Sequence, residues 1–296
     1  MATRHAVVAG GSGFIGRALV RELRAQGWDV TTLVRRAPKA EGEVHWDPAT
    51  GELDPSVVSA ADAVINLAGS SISRMPWTAA IKQDILESRR QATTTIVTAI
   101  NTATTTPAVL INASAIGIYG NRGDEVLTEK SARGTGFLSD VVVDWEKWAE
   151  PAKCRTVLVR TGLVLGSGGA MAPLALATLA FVGGRVGTGT QWWPWISLRD
   201  EVRAIVHLID SKVSGPVNLV GPEPATATTI TKALAKILRR PHLLGIPPLA
   251  LSLFGEAGRE LLQSSTRIEP TVLIKDGFTF EQTTAEDAVR WAISNR

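Results

Sequence analysis

One cysteine, one tyrosine and four histidines are all that the 296 residues hold of three types on which many active sites depend. With Cys154 alone, no intramolecular disulfide can form and no metal site can rest on cysteine spacing. His5, His45, His207 and His242 are scattered without ligand spacing, so neither a zinc enzyme nor another resident metal is expected. An excess of one charge is missing too. Thirty-one basic residues against 28 acidic ones leave +3, and the densest basic spots are Arg35-Arg36, Arg89-Arg90 and Arg239-Arg240. A nucleic-acid binder concentrates its basic residues on one face or in one run, so no nucleic-acid partner is expected. Long apolar runs are also absent. Ala170–Val182 and Leu243–Phe254 fall short of the roughly 20 residues a span needs, and both contain proline. Met1-Ala2-Thr3-Arg4 leads straight into a short apolar strand, unlike a signal or transit peptide. A soluble cytoplasmic protein with no membrane partner is the expectation.

What is there is a globular composition, 45% hydrophobic and 20% charged, at a length that suits one large α/β domain or two fused lobes. Short apolar runs at His5–Ala9, Asp29–Val34, Ala63–Leu67, Val109–Ala113 and Thr156–Arg160 read as strands. Between them lie helical patterns, the longest from Thr78 to about Ala103, free of internal glycine and proline. Such alternation predicts a Rossmann-type, doubly wound α/β fold with a parallel sheet covered on both faces. After Gly166 the rhythm changes to loops, an apolar segment and a Gly/Trp-rich stretch, then mainly helix. The expected division is a dinucleotide-binding domain over 1–165 and a smaller, mainly helical substrate lobe over 166–296. Residues 198–221 are expected to return to the sheet, and about 248–296 to form a small C-terminal domain.

The first βα turn carries Gly10, Gly11, Ser12, Gly13, Phe14, Ile15 and Gly16, which satisfies G-x-G-x-x-G from Gly11. The early glycines permit a tight turn and close approach to a pyrophosphate; Gly16 lets the helix pack against the strand. The helix N-terminus then offers free N–H groups to phosphate oxygens. A glycine-rich turn without a ligand is the plainer alternative. Where an NAD-binding unit places an acid at the end of the second strand, this chain has Val34-Arg35-Arg36. Guanidinium groups match a 2′-phosphate in charge and geometry, so NADP(H) is the expected cofactor. Arg36 is the better candidate for a solvated bystander.

With these residues the sequence resembles the extended short-chain dehydrogenase/reductases, and within them the atypical "epimerase family" subgroup, NAD-dependent epimerase/dehydratase-like with a small C-terminal domain. The resemblance runs through Gly10–Gly16, Asn66-Leu67-Ala68-Gly69, Ser88-Arg89, Ala113-Ser114-Ala115, Ile118-Tyr119-Gly120 and Gly136-Phe137-Leu138. It continues through Trp145-Glu146, Arg160–Gly166, Pro194-Trp195-Ile196-Ser197, Pro216–Leu219, Pro270 and Gly277-Phe278. It implies that Leu67, Ala68 and Gly69 pass under the adenosine side of the cofactor, that Arg89 contacts the dinucleotide, and that Val164 lines the nicotinamide. Leu67 and Val164 as core, and Arg89 paired with Asp84 or Glu87, are the ordinary alternatives. The resemblance also allows a homodimer through the long helix and the helix from Gly136, although an apolar stripe there suits a buried core equally.

The pattern breaks at the superfamily's Tyr-x-x-x-Lys acid/base. The matching positions here are Phe137 and Val141, and the sole tyrosine, Tyr119, lies in a loop with Gly123 four residues on. Ser114, polarising a substrate oxygen, and Tyr119, reaching in from its loop, are the remaining catalytic candidates. A strand cap and a loop anchor are their structural alternatives. Trp195, in the Trp192–Ser197 run, is the candidate substrate-stacking residue, while Asp124, Glu125, Glu129 and Arg133 read as solvated loop charge. Two functions follow. One is an NADP(H)-dependent oxidoreductase or epimerase-like enzyme on an unknown small molecule; the other is a non-catalytic NADP(H)-binding sensor or scaffold.

Overall fold

The computed structural model describes residues 3–59 and 61–295, so the Met1-Ala2 start read above lies outside it. The chain opens with β1 (His5–Ala9), α1 (Phe14–Ala25), β2 (Asp29–Val34), β3 (Glu43–His45), α2 (Pro55–Ser59) and β4 (Ala63–Asn66). In α1, Leu19, Val20 and Leu23 recur at helical spacing and are buried, and Gly27 with φ +81 follows its end. Next come α3 (Ala79–Thr102), β5 (Val109–Ala115), a 3-10 turn over Ile116–Tyr119, β6 (Val126–Leu127), α4 (Phe137–Ala149), β7 (Arg155–Thr161) and β8 (Leu163–Leu165). Thr78 caps α3 by accepting from the Ile81 amide.

The remaining part begins with α5 (Met171–Leu179), β9 (Gly184–Val186), β10 (Trp195–Ser197), α6 (Leu198–Asp210) and β11 (Gly215–Leu219). It ends with α7 (Ala227–Ile237), β12 (Leu244–Ile246), α8 (Pro248–Ser252), α9 (Gly255–Gly258), a π-turn over Arg259–Gln263, β13 (Arg267–Ile268), α10 (Thr271–Lys275) and α11 (Ala285–Ser294). Ser197, Thr226 and Thr284 cap α6, α7 and α11 in the same way as Thr78.

Seven strands form one parallel sheet in the order β11-β7-β5-β4-β1-β2-β3. This is the Rossmann-like α/β architecture, with a largely helical C-terminal part. One core packs α1 and α6 on one face, and a second packs β1, β4 and β5 under α3. The chain leaves β1 in one direction along the sheet and resumes at β4 in the other. That reversal opens a crevice beyond the carboxyl ends of β1 and β4, where α/β sheets bind their ligands.

Candidate functional site

At the β1 end of this crevice the backbone runs too close to its neighbours to admit side chains. A Cβ at Gly10 would stand 2.7 Å from the Leu67 carbonyl, and one at Gly16 would collide with the Gly10 carbonyl. The N-terminus of α1 follows at Gly13 without any side-chain cap. The loop is therefore a narrow cradle of closely approaching backbone, with the exposed Ser12 in it and the Arg17 guanidinium donating to the Ser12 carbonyl, which suits a diphosphate. Phe14 closes its far side: its ring lies where a Cβ on Gly166, Gly168 or Gly169 would come within 2.7–3.2 Å. Ile15, Leu67 and Val164 are partly buried against the first core, so each combines a packing role with its place at the crevice.

The three arginines named from sequence have different surroundings. Arg36 forms a two-armed ion pair with Glu43, at 2.6 and 2.8 Å. Arg35 is exposed just past β2 and makes no ion pair among the described residues; the Asp84 carboxyl is held down chiefly by its hydrogen bonds from Ser70 and Arg74, with the Arg35 charge adding least. Arg89 packs its stem on Gly69 and its guanidinium over Trp145, 4.7 Å from the ring centroid. It donates to the Ser70 and Ile85 carbonyls, and burial pushes it down to about 10. Of the two alternative partners for Arg89, Glu87 is taken by Arg90 and Asp84 by Arg74.

Below the crevice lies a polar network that sequence reading did not assemble. Arg160 on β7 forms a buried two-armed pair with Glu146 on α4, both arms at 2.8 Å. Ser114 donates to the same Glu146 at 2.6 Å and is 4% exposed. Arg160 also donates to the Tyr119 hydroxyl, which in turn donates to Asn218 Oδ1 at 2.7 Å. Burial works to lower the Arg160 pKa, but its bonds to Glu146 and Tyr119 hold it above its ordinary value.

The two catalytic candidates both belong to this network. Ser114 is engaged by a buried carboxylate, and Tyr119, fully buried, is an anchor whose hydroxyl is used on both sides; burial pushes its pKa up. Glu129 is a correction. Instead of standing in solvent, it accepts from the Asn218 and Val272 amides and is 8% exposed. The signal available in sequence was Arg160, a charge at the end of the apolar run of its strand, which burial would oblige to find an acid.

The helix that should carry the missing acid/base pair is closed over by the C-terminal part. Phe137 meets Trp77 edge-on at 5.3 Å, and Val141 packs with Ala257 and Leu261. Gly136, with φ +120, provides no cap for α4; Glu260 does, accepting from the Phe137 and Leu138 amides at 2.8 and 2.9 Å. Lys82 on α3 pairs with Glu256 beside it. Trp195 also departs from expectation. It is 1% exposed, donates to the Glu223 carbonyl, and presses its ring on Gly221, so it serves as core, not as a stacking wall. Sequence reading does not single out one buried acid: Glu201 on α6, fully enclosed, accepts from Thr161 Oγ1 at 2.7 Å, and its other oxygen has no partner among the described residues. No group of three or more potential metal ligands occurs among the described residues, and none of their helices is long and apolar enough to cross a membrane.

Comparison with known proteins adds a second line. The model of the NAD dependent epimerase/dehydratase family matches residues 6–221, and that of a domain of unknown function (DUF1731) matches 246–292. An epimerase family protein of Mycobacterium bovis is 42% identical over 298 residues, with 99% of this chain and 98% of that protein covered. The epimerase family protein YfhF of Bacillus subtilis is 35% identical over 299 residues, covering 98% of each. Human epimerase family protein SDR39U1 (isoform 2), solved with NADPH, superposes with a TM-score of 0.89 at 27% identity, over 99% of this chain and all of that one.

Proposed function

The chain belongs to the NAD-dependent epimerase/dehydratase family, and from that premise we propose that it is an NADP(H)-dependent oxidoreductase or epimerase-like enzyme of the cytoplasm, acting on a small molecule without the Tyr-x-x-x-Lys pair. The observation that carries the cofactor choice is Arg35, an exposed guanidinium just past β2 that has no ion-pair partner among the described residues, on the chain that follows the glycine cradle. In this reading Gly10–Gly16 receive the diphosphate and Arg35 the 2′-phosphate. Leu67, Ala68, Gly69 and Arg89 border the adenosine side, and Val164 the nicotinamide. When bound, the dinucleotide supplies a hydride donor or acceptor. Residues 1–165, joined by 198–221 returning to the sheet, are the dinucleotide half, and the rest of 166–296 is the substrate lobe.

Tryptophan-to-nicotinamide energy transfer in the purified protein tests the reading. NADPH is expected to bind at least about tenfold more tightly than NADH, a difference of about 1.4 kcal/mol. Arg35→Glu is expected to abolish that preference while leaving NADH binding in place. Equal affinities for the two cofactors would place the 2′-phosphate elsewhere.

A second reading, a non-catalytic NADP(H) sensor, is favoured by one specific observation. The α4 face that should present an acid and a base instead holds Phe137 and Val141, packed under the C-terminal part. Sustained turnover of any carbonyl substrate would eliminate it.

A further inference from the structure

Most large apolar side chains that the fold leaves in solvent come from one side of the C-terminal part. Leu176, Phe181 and Val182 follow one another along and after α5 and are 55–70% exposed. Leu243, Leu249 and Leu253, before and around β12 and α8, are 81–86% exposed. The two segments form one surface. β12 pairs with β9 in register Gly184↔Leu244 and Val186↔Ile246, and the Arg240 guanidinium lies over the Phe181 ring at 4.7 Å. A contiguous apolar surface of this kind marks an interaction site.

Its charge says what kind. Residues 171–187 and 239–255 contain no aspartate and no glutamate, but they do contain Arg185, Arg239 and Arg240. None of these three arginines is in an ion pair among the described residues. The nearest acids in sequence beyond the second segment are already engaged, Glu256 by Lys82 and Glu260 by the N-terminus of α4. Three covering partners can be weighed. A second copy meeting this face with its own would set arginine against arginine, which like-charge repulsion opposes. A small substrate needs a concavity, yet leucines more than 80% exposed project outward. An anionic bilayer supplies both needs, a negative headgroup layer for the arginines and an acyl boundary for the leucines.

We propose that this surface, carried on α5, β9, β12 and α8, docks peripherally on an anionic lipid bilayer. Such contact needs no membrane-spanning helix, so the short apolar runs that rule out a span are compatible with it. It does not depend on the catalytic reading, because neither the glycine loop nor Arg35 takes part.

Vesicle flotation of the full chain tests the proposal, with vesicles of phosphatidylcholine alone and with about a third phosphatidylglycerol. The chain is expected to float with the anionic vesicles at about 0.1 M salt, to stay down with the neutral ones, and to be released at about 0.5 M salt. The triple variant Leu243→Ser, Leu249→Ser, Leu253→Ser is expected to lose at least tenfold in bound fraction. Its NADPH titration and far-ultraviolet circular dichroism should remain those of the parent, since all three side chains are already in solvent. No flotation with anionic vesicles, or flotation that the triple variant retains, would overturn the proposal. So would a concentration-dependent dimer that the triple variant abolishes while the parent ignores vesicles.

Discussion

Glu201 is where a single residue makes the most definite thermodynamic statement. Its carboxyl is wholly enclosed, and burial pushes its pKa from 4.5 up to about 8, against a smaller opposing effect from the Thr161 hydroxyl bond. Below pH 4.5 both the folded and the unfolded chain hold this proton, so ionisation costs the fold nothing. Between 4.5 and 8 the unfolded chain releases it and the folded chain keeps it. Stability therefore falls as pH rises through that window, by on the order of 4 kcal/mol at its upper end. Glu201→Gln keeps the shape and removes the charge. Its Tm is expected to match the parent near pH 4.5 and to exceed it by several degrees at pH 8, measured by calorimetry. A pH-independent difference would mean that the folded protein holds Glu201 ionised. Arg160 gives the opposite case, a buried charge that is fully paired. Arg160→Ala strands Glu146 without its partner and is expected to cost about 3–5 kcal/mol in urea unfolding.

Among the elements, the start of α1 and the start of α4 depend on quite different devices. At α1, Gly16 lets the helix touch the Gly10 carbonyl; Gly16→Ala forces the loop and helix apart. It is expected to weaken NADPH binding more than tenfold in the same fluorescence titration. At α4, the cap comes from Glu260, more than a hundred residues downstream. Glu260→Ala is expected to cost about 1 kcal/mol and to raise hydrogen exchange at both 136–139 and 248–263. That contrast marks how far the sequence could be read. The glycine loop, the long helix and the alternation of strand and helix are local patterns, so residue spacing alone reveals them. The long helix runs Ala79–Thr102 against the expected Thr78 to about Ala103. The cap from Glu260, the burial of Glu129 and the packing of Trp195 are meetings between distant segments, which spacing cannot express. The surroundings of Ser114 and Tyr119 were hidden for the same reason. Their types suit catalysis, and only the fold reveals that Glu146, Arg160 and Asn218 already occupy them.

At the scale of the whole molecule, the C-terminal part is not an appendage, although a separate family model matches 246–292. Leu273 and Phe278 lie in the core of the sheet; Ala285, Ala288 and Val289 lie in the second lobe's core. Ile268 packs with Tyr119, and Ala257 with Trp77. A chain cut after residue 247 is therefore expected to aggregate instead of yielding a smaller dinucleotide-binding protein, as light scattering would reveal. The sheet itself is assembled out of order. β11 pairs with β7 along its whole length, yet about fifty residues separate the two in the chain. During synthesis at ~5–20 residues per second, β7 emerges roughly 3–11 s before the strand that covers it. For that interval the nascent chain displays an open, strongly apolar strand edge, Val157-Leu158-Val159, of the sort that invites pairing with another chain. Mistakes in making this protein should accordingly concentrate at one moment of translation, and a holdase on the ribosome would be most needed there.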